Sequence, residues 1–128
     1  MKYLLDTHAL LWSLYDSRKL PVAVKQIMSE SDCSISVASL WEIAIKTSIG
    51  KLVIKQSIQE IAALCREQEI SIIAIAPLHC DMMMSLPHIH HDPFDKIIIA
   101  TAMADNYTIA TKDSTIPQYE VKTIWDGC

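Results

Sequence analysis

Short apolar runs that end on a polar residue alternate along the chain with longer stretches in which apolar positions recur every three or four residues. Tyr3-Leu4-Leu5, closed by Asp6, is the first such run. It predicts a buried strand, followed by a helix over residues 9–15 that Thr7-His8 opens. Leu20-Pro21 starts a second helix, over residues 22–29, and residues 33–37 read as a second strand in which Ile35 and Val37 alternate with serines. Ser39-Leu40-Trp41-Glu42 then matches a capping box, and the helix it opens is stopped by Gly50. Residues 57–68 set Ile58, Ile61, Ala62, Leu64 and Cys65 on one face against Gln59, Glu60, Arg66 and Glu67, the pattern of an amphipathic helix. Residues 70–76 are apolar enough to predict a third strand buried on both faces. Pro77 opens a short helix holding Met82-Met83-Met84, a run suited to filling core or to an adaptable contact surface.

The most informative stretch is Leu86 to Asp105. Pro93 is pre-set for the first helical position, which makes Asp92 the expected N-cap; Asp95 falls in the first turn, where the helix dipole favours an anion. Ile98, Ala102 and Asp105 continue one side of that helix. Residues 107–111 read as a fourth strand, 114–119 as a proline-containing loop and 121–125 as a last edge strand. Strands alternating with helices of this length predict a three-layer α/β/α sandwich around a mainly parallel central sheet. With no internal repeat or linker, residues 1–128 read as a single domain.

Composition narrows the class. Hydrophobic residues make up 51% of the chain and only two of its 128 residues are glycine, which excludes a disordered or fibrous protein. No apolar run approaches the ~20 residues of a spanning helix, and Asp6 interrupts the first one too early for a signal-peptide core, so a cytoplasmic protein without membrane contact is expected. Cys33, Cys65, Cys80 and Cys128 are too widely spaced for a zinc or disulfide framework and read as reduced thiols. The net charge of −4 argues against a generic nucleic-acid binder. Removing four of the 15 acids leaves 11, equal to the number of lysines and arginines, so the surplus matches one acidic cluster.

Such a cluster can be assembled from Asp6, Glu42, Asp95 and Asp113, each of which falls just after a strand or at a helix start. Structural roles stand beside this one: Asp6 or Thr7 can cap the first helix, Glu42 can close the capping box, and Lys46, four residues after Glu42, can form an ordinary helix-surface pair with it. Four carboxylates in one crevice repel one another and hold protons unless a cation neutralises them. Oxygen ligands and few carboxylates suit Mg²⁺, with Mn²⁺ as the alternative, and such a site serves phosphodiester hydrolysis. His88, His90 and His91 raise a zinc alternative, but their spacing is not that of a structural zinc site, and contact with phosphate or solvent suits them better. A phospho-receiver also clusters acids at strand ends; here Pro77 stands where its phosphoacceptor would be.

Leu4-Leu5-Asp6-Thr7-His8 with Trp12, Ser39-Leu40-Trp41-Glu42-Ile43 with Lys46, Leu86-Pro87 followed by His90, Asp92-Pro93-Phe94-Asp95, and Ala110-Thr111-Lys112-Asp113 together resemble the successive motifs of PIN-domain proteins of the VapC toxin type. The resemblance runs over nearly the whole chain in order. It implies a Mg²⁺-dependent endoribonuclease with Asp6, Glu42, Asp95 and Asp113 as catalytic, metal-holding quartet, a homodimer, and a small cognate antitoxin as partner. Thr7, Lys46, His90, Asp92, Lys96 and Thr111 follow as substrate contacts or supports of the quartet. Lys96 and His91 stand where relatives often have arginine, which bears on RNA contacts and leaves the acids intact. The competing class is a PIN-like module that binds RNA or protein without catalysis, since capping alone accounts for Glu42 and Asp92.

Overall fold

Lys2–Leu5 forms strand β1, and its alternation decides the layering: Leu5 packs into one apolar cluster and Leu4 into another on the opposite face of the sheet. A computed structural model describes residues 1–89 and 92–126. After β1 come helix α1 (Thr7–Tyr15), a 3₁₀ turn (Ser17–Lys19), α2 (Val22–Glu30), strand β2 (Asp32–Ser36), α3 (Val37–Ser48), α4 (Ile58–Glu67) and strand β3 (Ile70–Ile73). The chain continues through α5 (Pro77–Met84), α6 (Pro93–Asp105), strand β4 (Thr108–Ala110), a second 3₁₀ turn (Ile116–Gln118) and strand β5 (Thr123–Ile124).

All the strand pairings are parallel, in the order β3-β2-β1-β4-β5. One core, with Leu5, Leu10, Val24, Ile35, Ile43 and Ile61, lies between the sheet and α1 to α4; the other, with Leu4, Ile98, Ile99, Ile109 and Ile116, lies between the sheet and α5 and α6. This is the three-layer sandwich expected from the alternating pattern. The strand order reverses at β1: β2 and β3 extend the sheet on one side, β4 and β5 on the other. A crevice opens at the carboxyl ends of β1 and β4, where the crossovers depart to opposite sides, and this is where open parallel sheets bind ligands. Among the described residues no helix is long and apolar enough to cross a membrane.

Two local expectations are corrected. The second strand ends at Ser36, not at residue 37, because the Ser36 hydroxyl accepts from the Ala38 amide and caps α3 three residues ahead of the Ser39 capping box. Residues 70–76 are not a strand buried on both faces: β3 ends at Ile73, lies at the sheet edge, and leaves Ser71 exposed. A capping box does form elsewhere, at α4, between Ser57 and Glu60. Cys33 and Cys65 are buried thiols, and Cys80 is exposed. Cys128 lies outside the described residues.

Candidate functional site

Each acid reaches the crevice by a different local device. Asp6 follows β1, and its amide still donates to the Ala110 carbonyl, 3.1 Å away, as though the ladder ran one residue further. Its side chain then does two things at once. Oδ1 accepts from the Ala9 amide at 2.8 Å and caps α1, while Oδ2 accepts from the Thr111 hydroxyl at the end of β4. The cap and the crevice position, alternatives from the sequence, are two halves of one carboxylate.

Thr111 links the acids of neighbouring strands, because its hydroxyl oxygen also accepts from the Asp113 amide at 3.0 Å. Asp113 Oδ1 in turn accepts from the Thr115 amide at 2.6 Å, which fixes the turn that leaves β4. Glu42 sits on α3 and is 3% exposed. It does not reach back to a helix N-terminus, as the capping-box reading required; the Thr7 hydroxyl donates to Oε1 at 2.6 Å, and the Lys46 ammonium to Oε2 at 2.6 Å. Ser39, whose Oγ lies 3.0 Å from Thr7 Oγ1, completes this cluster, where the sequence marked it as the start of a capping box. The Glu42–Lys46 pair is therefore half interior and not an ordinary surface pair.

Asp92 caps α6 as expected, its Oδ1 accepting from the Phe94 and Asp95 amides at 2.8 and 3.3 Å. Asp95 follows in the first turn. Burial pushes its carboxyl up to about 7, and the charges of Asp92, Glu42, Asp6 and Asp113 push in the same direction. Asp6, Glu42 and Asp113 thus lie near enough to Asp95 for their charges to act on it. Asp6 is raised as well, by burial before anything else, against the lowering effect of Thr111, the Ala9 amide and His8. Lys46 is raised too, which for an amine favours the charged form: the hydrogen bond it donates to Glu42 holds its proton more firmly, and Asp92 and Asp95 add to this.

Lys96 is half-buried one residue further on and forms no ion pair among the described residues. His90 and His91 lie outside the described residues, and His88 is exposed. Among the described residues no three His, Cys, Asp or Glu side chains converge closely enough to hold a metal ion as they stand. The donor chemistry nevertheless fits a hard cation: every gathered group is a carboxylate, and their mutual repulsion is what one would relieve. On the outer side of the crevice Trp41, 60% exposed, meets the Phe94 ring edge-on at 5.3 Å between ring centres.

Solved structures share this fold. The chain resembles one in the crystal structure of VapBC2 from Rickettsia felis bound to a DNA fragment from their promoter, at 17% identity over 98% of this chain and 100% of that one, with a TM-score of 0.74. It resembles one in VapBC-1 from nontypeable Haemophilus influenzae at 18% identity over 97% of each chain and a TM-score of 0.70. A toxin–antitoxin complex from Klebsiella pneumoniae gives 16% identity over 97% of each chain and a TM-score of 0.67. No curated protein sequence matches the chain. The PIN domain family model matches residues 3–122, from the first strand to the last loop, and so spans every acid of the crevice. The chain belongs to the PIN domain family.

Proposed function

We propose that the protein is a divalent-metal-dependent endoribonuclease, the toxin of a toxin–antitoxin pair, with Mg²⁺ as its ion and Mn²⁺ as a substitute. The observation that carries this reading is that Asp6, Glu42 and Asp113, from three other segments, lie near enough to Asp95 at the sheet's reversal point for their charges to act on its carboxyl. The toxin assignment is supported by the likeness to VapBC and toxin–antitoxin chains. A small cognate antitoxin is then the expected partner, and RNA the substrate. A homodimer is part of the same reading, supported by the exposed Leu78 and Met84 on α5, 56% and 85% accessible.

Asp6, Asp95, Asp113 and Glu42 would hold the ion, which when bound supplies activation of water and stabilisation of charge at the attacked phosphate. The chain's own part is positioning. Thr111 fixes Oδ2 of Asp6 and the backbone of Asp113 from one hydroxyl, and Thr7 and Lys46 fix the two oxygens of Glu42. Asp95, whose carboxyl burial and the neighbouring acids push up to about 7, is a group whose proton the ion would displace on binding. Lys46 keeps its charge in place facing Asp92 and Asp95, where an incoming phosphate would meet a cation.

Purified protein with Mg²⁺ is expected to cut single-stranded or looped RNA internally, EDTA to stop it, and Asp95→Asn to lower cleavage by at least about a hundredfold with the fold intact, since loss of such positioning is commonly worth several kcal/mol. Equal cleavage by wild type and Asp95→Asn would show that the active group lies elsewhere. The separation of the acids as they stand favours a second reading, a PIN module that binds RNA or protein without cutting. New RNA ends that depend on Asp95 after induction in cells decide against it; their absence decides for it.

A further inference from the structure

A groove of about 870 Å³ runs from Glu42 along α1 to the wall formed by residues 51–56, and Thr7, Glu42 and Lys46 belong to both crevice and groove. We infer that this groove is the path of a single-stranded RNA segment beside the scissile phosphate, with one unpaired base seated against Trp12 and backbone phosphates on Lys51 and Lys55. The inference rests on the nuclease reading above and adds to it the place of the flanking nucleotides.

Trp12 lines the groove. Its ring lies 5.6 Å from that of Trp125 and 5.7 Å from that of His8, centre to centre. The ammonium groups of Lys19 and Lys112 stand 5.8 and 5.9 Å from the same ring centre. Lys51 and Lys55 line the facing wall. None of these four lysines forms an ion pair among the described residues, although the protein as a whole carries a net charge of −4. Aromatic rings among cations that lack carboxylate partners are what single-stranded nucleic acid uses, the rings taking bases and the cations taking phosphates. Leu11, Ile43, Leu52, Val53 and Ile54 give the groove an apolar lining on which the face of a base can pack, while a purely apolar segment would leave Lys51 and Lys55 without counter-charges.

The wall is preformed. Gly50, at φ +78°, turns the chain after α3, the Lys46 carbonyl accepts from the amides of Lys51 and Leu52, and the Tyr15 hydroxyl donates to Gln56 Oε1 at 2.7 Å across the far end. Little ordering is left to be done on binding, so affinity follows the contacts themselves. The exposed lysines then account for how an acidic protein holds a polyanion: Lys51 and Lys55 line the groove itself, and Lys19 and Lys112 stand beside Trp12.

The test is binding of fluorescein-labelled single-stranded RNA of mixed sequence, and of a series with one abasic position moved along it, in the Asp95→Asn background so that nothing is cut. Lys51→Glu with Lys55→Glu is expected to weaken binding tenfold or more and to flatten its salt dependence. Trp12→Leu is expected to weaken intact RNA by roughly 5- to 100-fold, to leave the abasic RNA at the responsive position unchanged, and to be largely rescued by Trp12→Phe. Circular dichroism and melting keep the comparison to folded variants; if Trp12→Leu does not fold, the lysine pair and the abasic series on the parent carry the test. Folded variants that bind RNA as tightly as their parent would overturn the inference while wild-type cleavage left the nuclease reading standing. Variants that lose a co-expressed protein partner but keep RNA would assign the groove to that partner instead. Wild type that neither binds nor cuts RNA would remove the nuclease reading, and the inference with it.

Discussion

Asp95 is where burial and like charge act together on a single carboxyl, and the consequence is a stability that depends on pH. Its ordinary value is 3.8 and its value in the fold about 7, so between those limits the folded chain binds more proton than the unfolded one. Stability supplied by that group is therefore lost as pH rises from about 4 to 7, and above 7 the carboxylate is a standing cost unless a cation neutralises it. In EDTA, Asp95→Asn should melt higher than wild type at pH 8, with the difference shrinking towards pH 5. A variant that melts no higher at pH 8 would mean that the repulsion is relieved by other means. Asp6 is a poorer probe of the same effect, because its two oxygens cap α1 and hold Thr111. Asp6→Ala is expected to cost about 1–2 kcal/mol in urea titration even without metal, the usual worth of a cap, and a loss below ~0.5 kcal/mol would remove the capping role. Only the structure separates these two acids: both follow an apolar stretch or open one, and nothing in their neighbours' identities shows that one is bonded on both oxygens.

At the level of elements, legibility followed the strength of the local signal. The Asp92-Pro93 start of α6 was readable because proline and a capping acid point to the same residue. The start of α3 was not, because Ile35 and Val37 keep the alternation of a strand while Ser36 already caps the helix, and a three-residue shift carried Ser39 into the helix as an internal residue. That shift matters to function. With Ser39 inside α3, Glu42 is turned away from the helix start and its carboxylate is left to Thr7 and Lys46. The edge position of β3 was also invisible, since an apolar run reads alike in the middle of a sheet and at its rim, where Ile72 and Ile73 are half-buried against helices. Ser36→Ala should therefore cost about 1 kcal/mol and lower RNA cleavage by displacing Glu42, whereas Ser39→Ala should affect cleavage without the cap loss. A Ser36→Ala variant as stable as wild type would restore the placement of the helix start at Ser39.

For the molecule as a whole, strand order joins stability to the proposed chemistry. Asp6 and Asp113 follow adjacent parallel strands, while Glu42 and Asp95 come from helices whose apolar faces pack in opposite layers, so the acids meet only when both cores are formed. An ion held by them binds the folded chain and not the unfolded one, and at a hundred times its Kd it adds about 2.7 kcal/mol to stability. For a domain of this size that corresponds to roughly 3–5 °C in Tm per kcal/mol. The ion must also displace the proton that Asp95 retains up to about pH 7, so its effect should be larger at pH 8 than at pH 5.5. Differential scanning calorimetry with Mg²⁺ or Mn²⁺ at the two pH values reads both terms, and Asp95→Asn should remove most of the difference between them. A metal-induced rise that is the same at both pH values, or unchanged in Asp95→Asn, would place the ion away from Asp95 and separate the acidic crevice from any metal the protein binds.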